Sequence, residues 1–299
     1  MGTNRGSIAI SAAALLILSL AAPAAAQDAS PAPDGSPAAP DGQLARTLEA
    51  GVIRMSTDPA YPPQSFLDTD GTLKGFDIDV GTEIAKRLGV DITFETPDFS
   101  LVSAGNWSDR WDFSVGSVTI TTPRQEVLDF TQPYYYTPAQ MAVRADLSYA
   151  SLDDLAGKKV CMGEGTTYLD WFNGDLDFGS ATPHTVPPEG SVATTLPTDR
   201  NCAESWAAGR QDFEGWLSSS TTVQQAIDEG MPVVAIGDHV FHEPLAAAFD
   251  KNVQDNDSLV AAVDKIIGDM HADGTLAELS LKWFGQDLTT PPEEFASAN

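Results

Sequence analysis

The stretch GSVTITTPRQEVLDFTQPYYY, residues 116–136, decides the fold of this chain. Ser117, Thr119 and Thr121 alternate with their neighbours, which predicts a half-buried β-strand that a proline then ends. Arg124 follows directly. Because α/β sheets bind ligands at the carboxyl ends of their strands, and a guanidinium has a planar pair of donors that fits a carboxylate, an anion site is expected there. Thr119 and Thr121 should share that anion through their hydroxyl groups. The alternative for Arg124 is an ordinary solvated surface position.

The order of residues in this stretch resembles the signature of the type II periplasmic solute-binding proteins of amino-acid ABC transporters, family 3. That signature is a strand with two threonines, an arginine, an aspartate–phenylalanine–threonine turn and a proline–tyrosine pair. The chain carries it as Thr119, Ile120, Thr121, Arg124, Asp129, Phe130, Thr131, Pro133 and Tyr134. The resemblance covers residues 44–288, including the ending DGTLAELSLKWFG. It implies an α/β protein with the periplasmic-binding-protein-like II fold, in which two hinge crossings connect two lobes.

Four parts are expected along the chain. Residues 1–26 have a positive start, an apolar core too short to span a bilayer and a small-residue cleavage site, which together indicate an export signal. Residues 27–43 are rich in Pro, Ala, Asp and Gly and predict a disordered leader. The resemblance then places the first lobe at residues 44–142 plus 246–299 and the second lobe at residues 143–245.

Composition and charge exclude several classes of partner. The 299 residues carry 16 Lys and Arg against 43 Asp and Glu, a formal net charge of −27, which argues against nucleic acid and anionic membranes as partners. The same acidity suits a surface that stays soluble at high salt, or an ordinary acidic periplasmic protein. With the signal cleaved after Ala26, we expect a periplasmic monomer.

The chain contains two cysteines, Cys161 and Cys202. In an oxidising compartment an even pair predicts a disulfide, here closing a loop of roughly 40 residues. Two separate buried thiols are the alternative. Neither cysteine stands beside a histidine, so neither is expected to be catalytic.

The resemblance also implies ligand contacts from aromatic side chains. Tyr61 lies in the loop that begins at Asp58, directly after the first strand. The family places an aromatic group against the ligand in this loop. Phe99 matches the second aromatic wall, and a core position is its alternative. The two rings would then flank an apolar part of the ligand.

The turn at Gly165, Thr166 and Thr167 opens a helix in the second lobe. Glycine lets the backbone approach a ligand closely, and the amino end of a helix favours an anion. By resemblance this turn is the second carboxylate-binding element. It should therefore share the anion held by Arg124, together with backbone groups of Ser117.

One position departs from the family. Its members carry an aspartate that binds the ligand's α-ammonium five residues after the aspartate of a Gly-Arg-x-Asp-Ala motif, and counting from Asp212 this place holds Leu217. An ammonium buried without a carboxylate is costly. Either another acid replaces the aspartate or the ligand is not a simple α-amino acid. The candidate acids are Glu164, Asp170, Glu214 and Asp58.

The expected function is binding rather than catalysis. The resemblance implies the substrate-binding component of an ABC importer, which takes up a small carboxylate-bearing solute, preferably a polar amino acid, and hands it to the permease subunits. A soluble sensor would have the same sequence features. An osmolyte such as ectoine is an alternative ligand, with its cation on Tyr61, Phe99 or Trp107.

An enzyme on the same scaffold, such as a cyclohexadienyl dehydratase, is the other alternative. It would need a cleft acid with a raised pKa, for which Glu164 and Asp170 are candidates. No cofactor fingerprint is present in the sequence. No metal site is expected either, because His239 and His242 have no carboxylate or cysteine at ligand spacing.

Overall fold

The computed structural model describes residues 41–179, 181, 183 and 185–296. The predicted export signal and most of the predicted leader lie outside this range. The first described helix begins at Gly42, so the last residues of the predicted leader are helical.

The described elements alternate between helices and short strands, as the sequence predicts for an α/β protein. The first part contains α1 (Gly42–Ala50), β1 (Val52–Ser56), β2 (Ala60–Tyr61), β3 (Ser65–Leu67), β4 (Leu73–Lys74), α2 (Phe76–Leu88), β5 (Asp91–Glu95), α3 (Phe99–Ser103), β6 (Phe113–Thr119), α4 (Thr122–Gln125) and β7 (Leu128–Arg144). The middle part contains a 3-10 helix (Leu152–Leu155), β8 (Lys159–Gly163), α5 (Thr167–Asn173), β9 (Val192–Leu196), α6 (Arg200–Ala207), β10 (Gly215–Ser219), α7 (Ser220–Asp228) and β11 (Val233–Ala235). The last part contains β12 (His242–Asp250), α8 (Asp257–Ala272), α9 (Thr275–Phe284) and α10 (Glu293–Ala296).

Two long strands join the two lobes. Among the described residues, hydrogen-bonded strands follow the order β5-β1-β6-β12-β7-β10-β8-β9, with β11 paired to β7. β7 pairs with β12 as far as Pro138 and with β10 from Ala139, so it passes from the first lobe into the second. β12 returns antiparallel to it. The predicted lobe boundaries, at 142/143 and 245/246, fall inside these two crossing strands.

Strand β6 is buried throughout, so the half-buried strand predicted at this place is wrong. Val115 packs into one hydrophobic cluster with residues of α2 and α8, while Val118 packs into another with Trp107 and Trp111. Both faces of the strand are therefore covered, although the sheet is mixed and β6 pairs parallel with β1 and antiparallel with β12.

Each lobe buries its own hydrophobic core. In the first lobe, α8 turns one face to the core, on which Leu259, Val263, Ile266 and Ile267 are all buried. In the second lobe, the predicted disulfide between Cys161 and Cys202 is present and ties β8 to α6, with the two Cα atoms 5.9 Å apart. Across the part of the chain that is described, no helix is both long and apolar enough to cross a membrane.

The parallel pairings decide where the functional residues meet. β1 runs parallel to β5 and β6 in the first lobe, and β8 runs parallel to β9 and β10 in the second. The loops that follow β1, β6, β8 and β9 at their carboxyl ends come from both lobes and meet in the cleft between them.

Candidate functional site

A cavity lies in the cleft between the lobes, with about 460 Å³ of space free of protein atoms, including its opening to solvent. Nine of the ten predicted ligand-binding residues line it: Asp58, Tyr61, Phe99, Ser117, Thr119, Arg124, Glu164, Thr166 and Thr167. The tenth, Gly165, contacts Arg124 directly. The sequence analysis did not select Tyr168, Asp199 and Glu243, which also line the cavity.

Arg124 is oriented by the protein before any ligand is considered. It belongs to α4, where its backbone N–H donates to the Thr121 hydroxyl that caps the helix. Its Nη1 donates to the Thr119 carbonyl at 3.0 Å, and its Nη2 donates to the Gly165 carbonyl of the other lobe at 2.9 Å. The guanidinium carbon lies 5.4 Å from the ring centroid of Phe99. Thr121 thus caps α4, and it is not among the residues that line the cavity.

Glu243 lies on the hinge strand β12 and is 2% exposed. Its carboxyl group is close enough to Arg124 for their charges to interact. Its Oε1 accepts hydrogen bonds from the hydroxyls of Thr119, at 2.8 Å, and Thr167, and its Oε2 accepts one from the Tyr168 hydroxyl at 2.8 Å. Burial raises the pKa of Glu243, while the three hydroxyl groups and the charge of Arg124 act in the opposite direction. Residues of both lobes and of the hinge therefore meet at one carboxyl group.

Asp199 follows β9 and is 5% exposed. Its Oδ1 accepts the backbone N–H of Gly163, and its Oδ2 accepts the Ser218 hydroxyl at 3.2 Å. A Cβ atom on residue 163 would come within 2.6 Å of Oδ1, so the close approach requires glycine. Burial raises the pKa of Asp199 to about 8, and the charges of Glu243 and Asp58 add to this.

Asp58 lies after β1 on the first-lobe side of the cleft. Its Oδ1 accepts the backbone N–H of Ala60 at 2.7 Å. Burial raises the pKa of Asp58 to about 6, with a smaller contribution from the charge of Asp98. Of the four acids proposed to replace the family aspartate, Asp58 and Glu164 line the cavity.

The other two candidate acids, Asp170 and Glu214, are not among the residues that line the cavity. Asp170 interacts with the charge of Arg124, although burial is the larger influence and raises the pKa of Asp170. Glu214 accepts the backbone N–H of Lys159 at 3.1 Å and does not line the cavity. Glu164 is solvent-exposed at the rim.

Ser117 lines the cavity, and its polar groups bond to buried residues of the first lobe. Its backbone N–H donates to the Tyr134 hydroxyl at 3.1 Å, and its own hydroxyl donates to Asp77 at 2.7 Å and contacts the Tyr135 hydroxyl at 2.6 Å. The residue has φ +54°, which turns its amide towards this buried network. Its backbone N–H is therefore already paired with a group of the first lobe.

The two aromatic walls differ from each other. The Tyr61 hydroxyl lies 3.1 Å from the Tyr168 hydroxyl, so the two side chains form a hydrogen bond across the cleft. Phe99 lines the cavity beside Arg124 and also packs on the core cluster around Val102. Trp107, considered as a support for a cation, is fully buried in that cluster.

The turn of the second lobe makes close contacts with the first. Gly165 has φ +72°, and a Cβ atom there would lie 3.0 Å from the Cα of Ser100. The Thr166 hydroxyl donates to the Gly163 carbonyl at 2.8 Å, and the Thr167 hydroxyl donates to Glu243. Both hydroxyl groups at the cavity wall are therefore already paired with acceptors of the protein.

Position 217 offers no carboxyl group to a ligand, as the sequence indicates. Leu217 is fully buried in the core of the second lobe. The strand ends two residues later at Ser219, whose hydroxyl accepts the Thr222 N–H and so caps α7. Gln64 of the first lobe donates to Ser219 at 3.0 Å and to Thr221 at 2.7 Å. Neutral groups thus bridge the lobes at this place.

Of the two acids that the sequence analysis missed, only Glu243 had a detectable signal. Glu243 is a carboxylate within the apolar run EPLAAAF, and a charge in a buried strand needs a partner. Asp199 comes from a polar, proline-containing segment that has no periodicity to place it. Among the described residues, no three His, Cys, Asp or Glu side chains form a group that could hold a metal ion.

The arrangement combines one buried guanidinium with several buried carboxyl groups in a cleft closed from two sides. Arg124 can orient a carboxylate, and Glu243, Asp199 and Asp58 can receive cationic or hydrogen-bonding groups. Small polar molecules with both signs of charge fit this chemistry.

Comparisons with known proteins agree with the fold. The L-cystine-binding protein TcyJ of Escherichia coli (strain K12) is 30% identical over 255 residues, which cover 84% of this chain and 89% of the relative. The histidine-binding periplasmic protein of the same strain is 28% identical over 248 residues, 79% of this chain and 88% of the relative.

Solved structures of similar proteins have the same two-lobe architecture. The ancestral amino acid-binding protein AncCDT-1, a precursor of cyclohexadienyl dehydratase, is 26% identical with a TM-score of 0.68 and covers 81% of this chain and 99% of its own. An ancestral arginine-binding protein bound to glutamine is 27% identical with a TM-score of 0.67, covering 79% of this chain and 99% of its own.

The model of one protein family, bacterial extracellular solute-binding proteins, family 3, matches residues 53–286. Members of this family bind solutes, and the match contains the crossing strands and every cavity-lining residue. The chain therefore belongs to the bacterial extracellular solute-binding proteins of family 3.

Proposed function

We propose that this protein is the periplasmic substrate-binding component of an ABC importer. It is exported by a signal in residues 1–26, binds a small carboxylate-bearing solute in the interlobe cleft, and closes on it. The preferred solute is a polar amino acid. The names of the relatives support this class, since they include cystine-, histidine- and arginine-binding proteins.

The observation that carries the proposal is the position of Arg124. It is a buried cation at the cavity wall, 6% exposed, and two backbone carbonyls and an aromatic ring fix its orientation. A guanidinium has five N–H donors, so donors remain for a carboxylate after these contacts. A buried cation held in this way is suited to bind an anion from the cleft.

Closure follows from the contacts that cross the cleft. Arg124 donates a hydrogen bond to Gly165, and the hydroxyls of Tyr61 and Tyr168 form another. Gln64 donates hydrogen bonds to residues at the start of α7. A ligand that touches both lobes favours the closed form by its differential affinity for that form. The permease subunits would then recognise the closed lobes of a monomer.

The first experiment is a thermal-shift panel on the mature protein, stripped of ligand by unfolding and refolding. The panel contains the common amino acids, ectoine, betaines and small carboxylates. A ligand that binds only the folded state raises the midpoint of unfolding. We expect an amino acid to give the largest shift. A shift for ectoine alone would replace the amino acid by an osmolyte, and no shift at all would contradict a binding protein for these solutes.

An enzyme of the cyclohexadienyl dehydratase type is the second candidate. Two observations favour it: the similarity to a precursor of such an enzyme, and the buried Asp199, whose pKa of about 8 keeps a proton available at neutral pH. Incubation with prephenate and arogenate tests it. Turnover that is lost in the Asp199→Asn variant would establish the enzyme, and absence of turnover leaves binding as the function.

A further inference from the structure

We infer that the segment after α9, residues 287–296, is a hinge strap that connects the first lobe to the second and favours the closed form of the cleft. The inference rests on the proposed function and concerns how the same cleft is regulated. The family model matches the chain only as far as residue 286, so the hinge strap lies outside the matched part.

The hinge strap begins on the first lobe. The Ser280 hydroxyl in α9 donates to the Gln286 carbonyl at 2.8 Å and accepts the Leu288 N–H at 2.8 Å. The Leu288 carbonyl accepts the N–H of Tyr136 in β7 at 2.7 Å, and the Leu288 side chain packs on the core of the first lobe. This end of the strap is therefore fixed to α9 and to the crossing strand β7.

The other end of the strap, α10, packs on both lobes. The Phe295 side chain is 8% exposed, and its ring centroid lies 5.9 Å from that of Tyr136 and 5.7 Å, edge-on, from that of Phe178. Phe178 belongs to the second lobe and packs on its core. Oε1 of Glu294 lies 2.6 Å from Nδ1 of His242, which begins the crossing strand β12. One buried aromatic side chain thus joins the two lobes beside the hinge.

Between these two ends the strap borders an open groove. The groove has about 1280 Å³ of space free of protein atoms, including its opening to solvent, and Thr290 and Pro292 line it together with residues of α9 from the first lobe and α7 from the second. Pro291 and Pro292 are adjacent, which restricts the backbone of the strap at this place. A stiff connector between two fixed ends resists their separation.

Opening of the cleft changes the contacts of the strap. In this structure the lobes meet, and Arg124 of the first lobe donates to Gly165 of the second. When the second lobe rotates away, Phe178 moves with it while Tyr136 stays with the first lobe, so Phe295 keeps one ring contact and loses the other. The strap therefore interacts more strongly with the closed form, and this difference shifts the equilibrium towards closure.

Two variants test the strap without any ligand. Deletion of residues 290–299 removes the strap beyond its first fixed end, and Phe295→Ala removes only the ring that joins the lobes. Small-angle X-ray scattering measures the radius of gyration, which rises when the lobes open. We expect a larger radius of gyration in both variants than in the wild type. Glu293→Gln, an exposed position on the same helix, is the control and should scatter like the wild type.

Titration calorimetry tests the same variants with L-cystine, L-histidine and L-arginine, the amino acids in the names of the relatives. For each of these that binds the wild type, we expect an affinity about tenfold weaker in both variants, since binding must then supply the closure that the strap supplied. Tenfold corresponds to about 1.4 kcal/mol. Aromatic pairs contribute about 0.5–1.5 kcal/mol each beyond burial, which is sufficient. Glu293→Gln should keep the affinity of the wild type.

The strap and the proposed function fail in different ways. A larger radius of gyration or a weaker affinity supports the strap. Equal radii together with equal affinities would overturn it, as would a variant that is more compact or binds more tightly. If the deletion variant does not fold, Phe295→Ala decides alone. If none of the three amino acids binds, that result counts against the proposed function, while the radius of gyration alone decides whether the strap restrains the lobes.

Discussion

Arg124 is the residue on which the proposed binding depends most. Replacing it with alanine removes the cation that orients the carboxylate, while α4 keeps its cap from Thr121. We expect Arg124→Ala to lower the affinity for the ligand by at least about 100-fold, the usual cost of leaving a buried charge unpaired. The fold should persist, as measured by circular dichroism.

Arg124→Lys is the matched control for this change. It keeps the charge but loses the planar pair of donors, so we expect an intermediate affinity. Calorimetric titration with the best ligand of the panel measures both variants. An unchanged affinity in Arg124→Ala would show that the anion binds elsewhere.

Asp199 should make the stability of the ligand-free protein depend on pH. Its pKa is about 8 in the folded protein against an ordinary value of 3.8, chiefly because of burial. The folded state therefore holds a proton that the unfolded state releases. The resulting stabilisation is complete below about pH 4, declines as the pH rises towards 8, and is absent above.

Asp199→Asn has no such proton, so its stability relative to the wild type should increase between pH 4 and 8 by up to about 1.4 kcal/mol per pH unit and then level off. Thermal unfolding of both proteins at pH 5, 7 and 9 measures this. Asp212→Asn, which is exposed, should track the wild type throughout. A difference that stays constant with pH would mean that Asp199 is charged in the folded protein.

The turn between β8 and α5 lies against the first lobe. Gly165→Ala would place a Cβ atom 3.0 Å from the Ser100 Cα of the other lobe, at a backbone angle of φ +72°. We expect weaker ligand binding, about tenfold or more, because closure moves these atoms together. The measurement is affinity together with the unfolding midpoint of the ligand-free protein.

Gly174→Ala separates the steric effect from the backbone effect. Gly174 ends α5 with φ +80°, and a Cβ atom there meets nothing within 4 Å. Both variants carry the cost of a left-handed residue, roughly 1 kcal/mol, but only Gly165→Ala meets the other lobe. Equal affinities in the two variants would exclude a role for this contact in closure.

Helices and strands with periodic hydrophobic patterns were predictable from the sequence. The inward face of α8 and the helix-ending glycines of α1 and α5 depend on neighbours within a few positions, so local sequence specifies them. The burial of β6 was mispredicted as one-sided because its second cover, with Trp107 and Trp111, comes from a loop without periodicity.

The excess of acidic residues concerns the entire molecule. With a formal net charge of −27, self-repulsion among surface carboxylates should destabilise the folded state at low ionic strength. We expect the unfolding midpoint to rise by several degrees between about 0.05 and 1 M NaCl, because salt screens this repulsion. Potassium chloride serves as a control for ion-specific effects. A midpoint that falls with added salt would contradict both this prediction and a protein adapted to a salt-rich habitat.

The sequence by itself determined the family, the two-lobe α/β fold, the disulfide and the place of Arg124 at the end of a strand. These features follow from short motifs, from hydrophobic periodicity and from the number of cysteines, which are all local properties of the chain. Only the tertiary structure decided which side chains meet in the cleft. Thr119 and Thr167 lie far from Glu243 in the sequence. The two strands that cross between the lobes bring both hydroxyl groups to the Glu243 carboxyl group. The same packing pairs the amide and hydroxyl of Ser117 with Tyr134 and Asp77, which are buried behind the cleft.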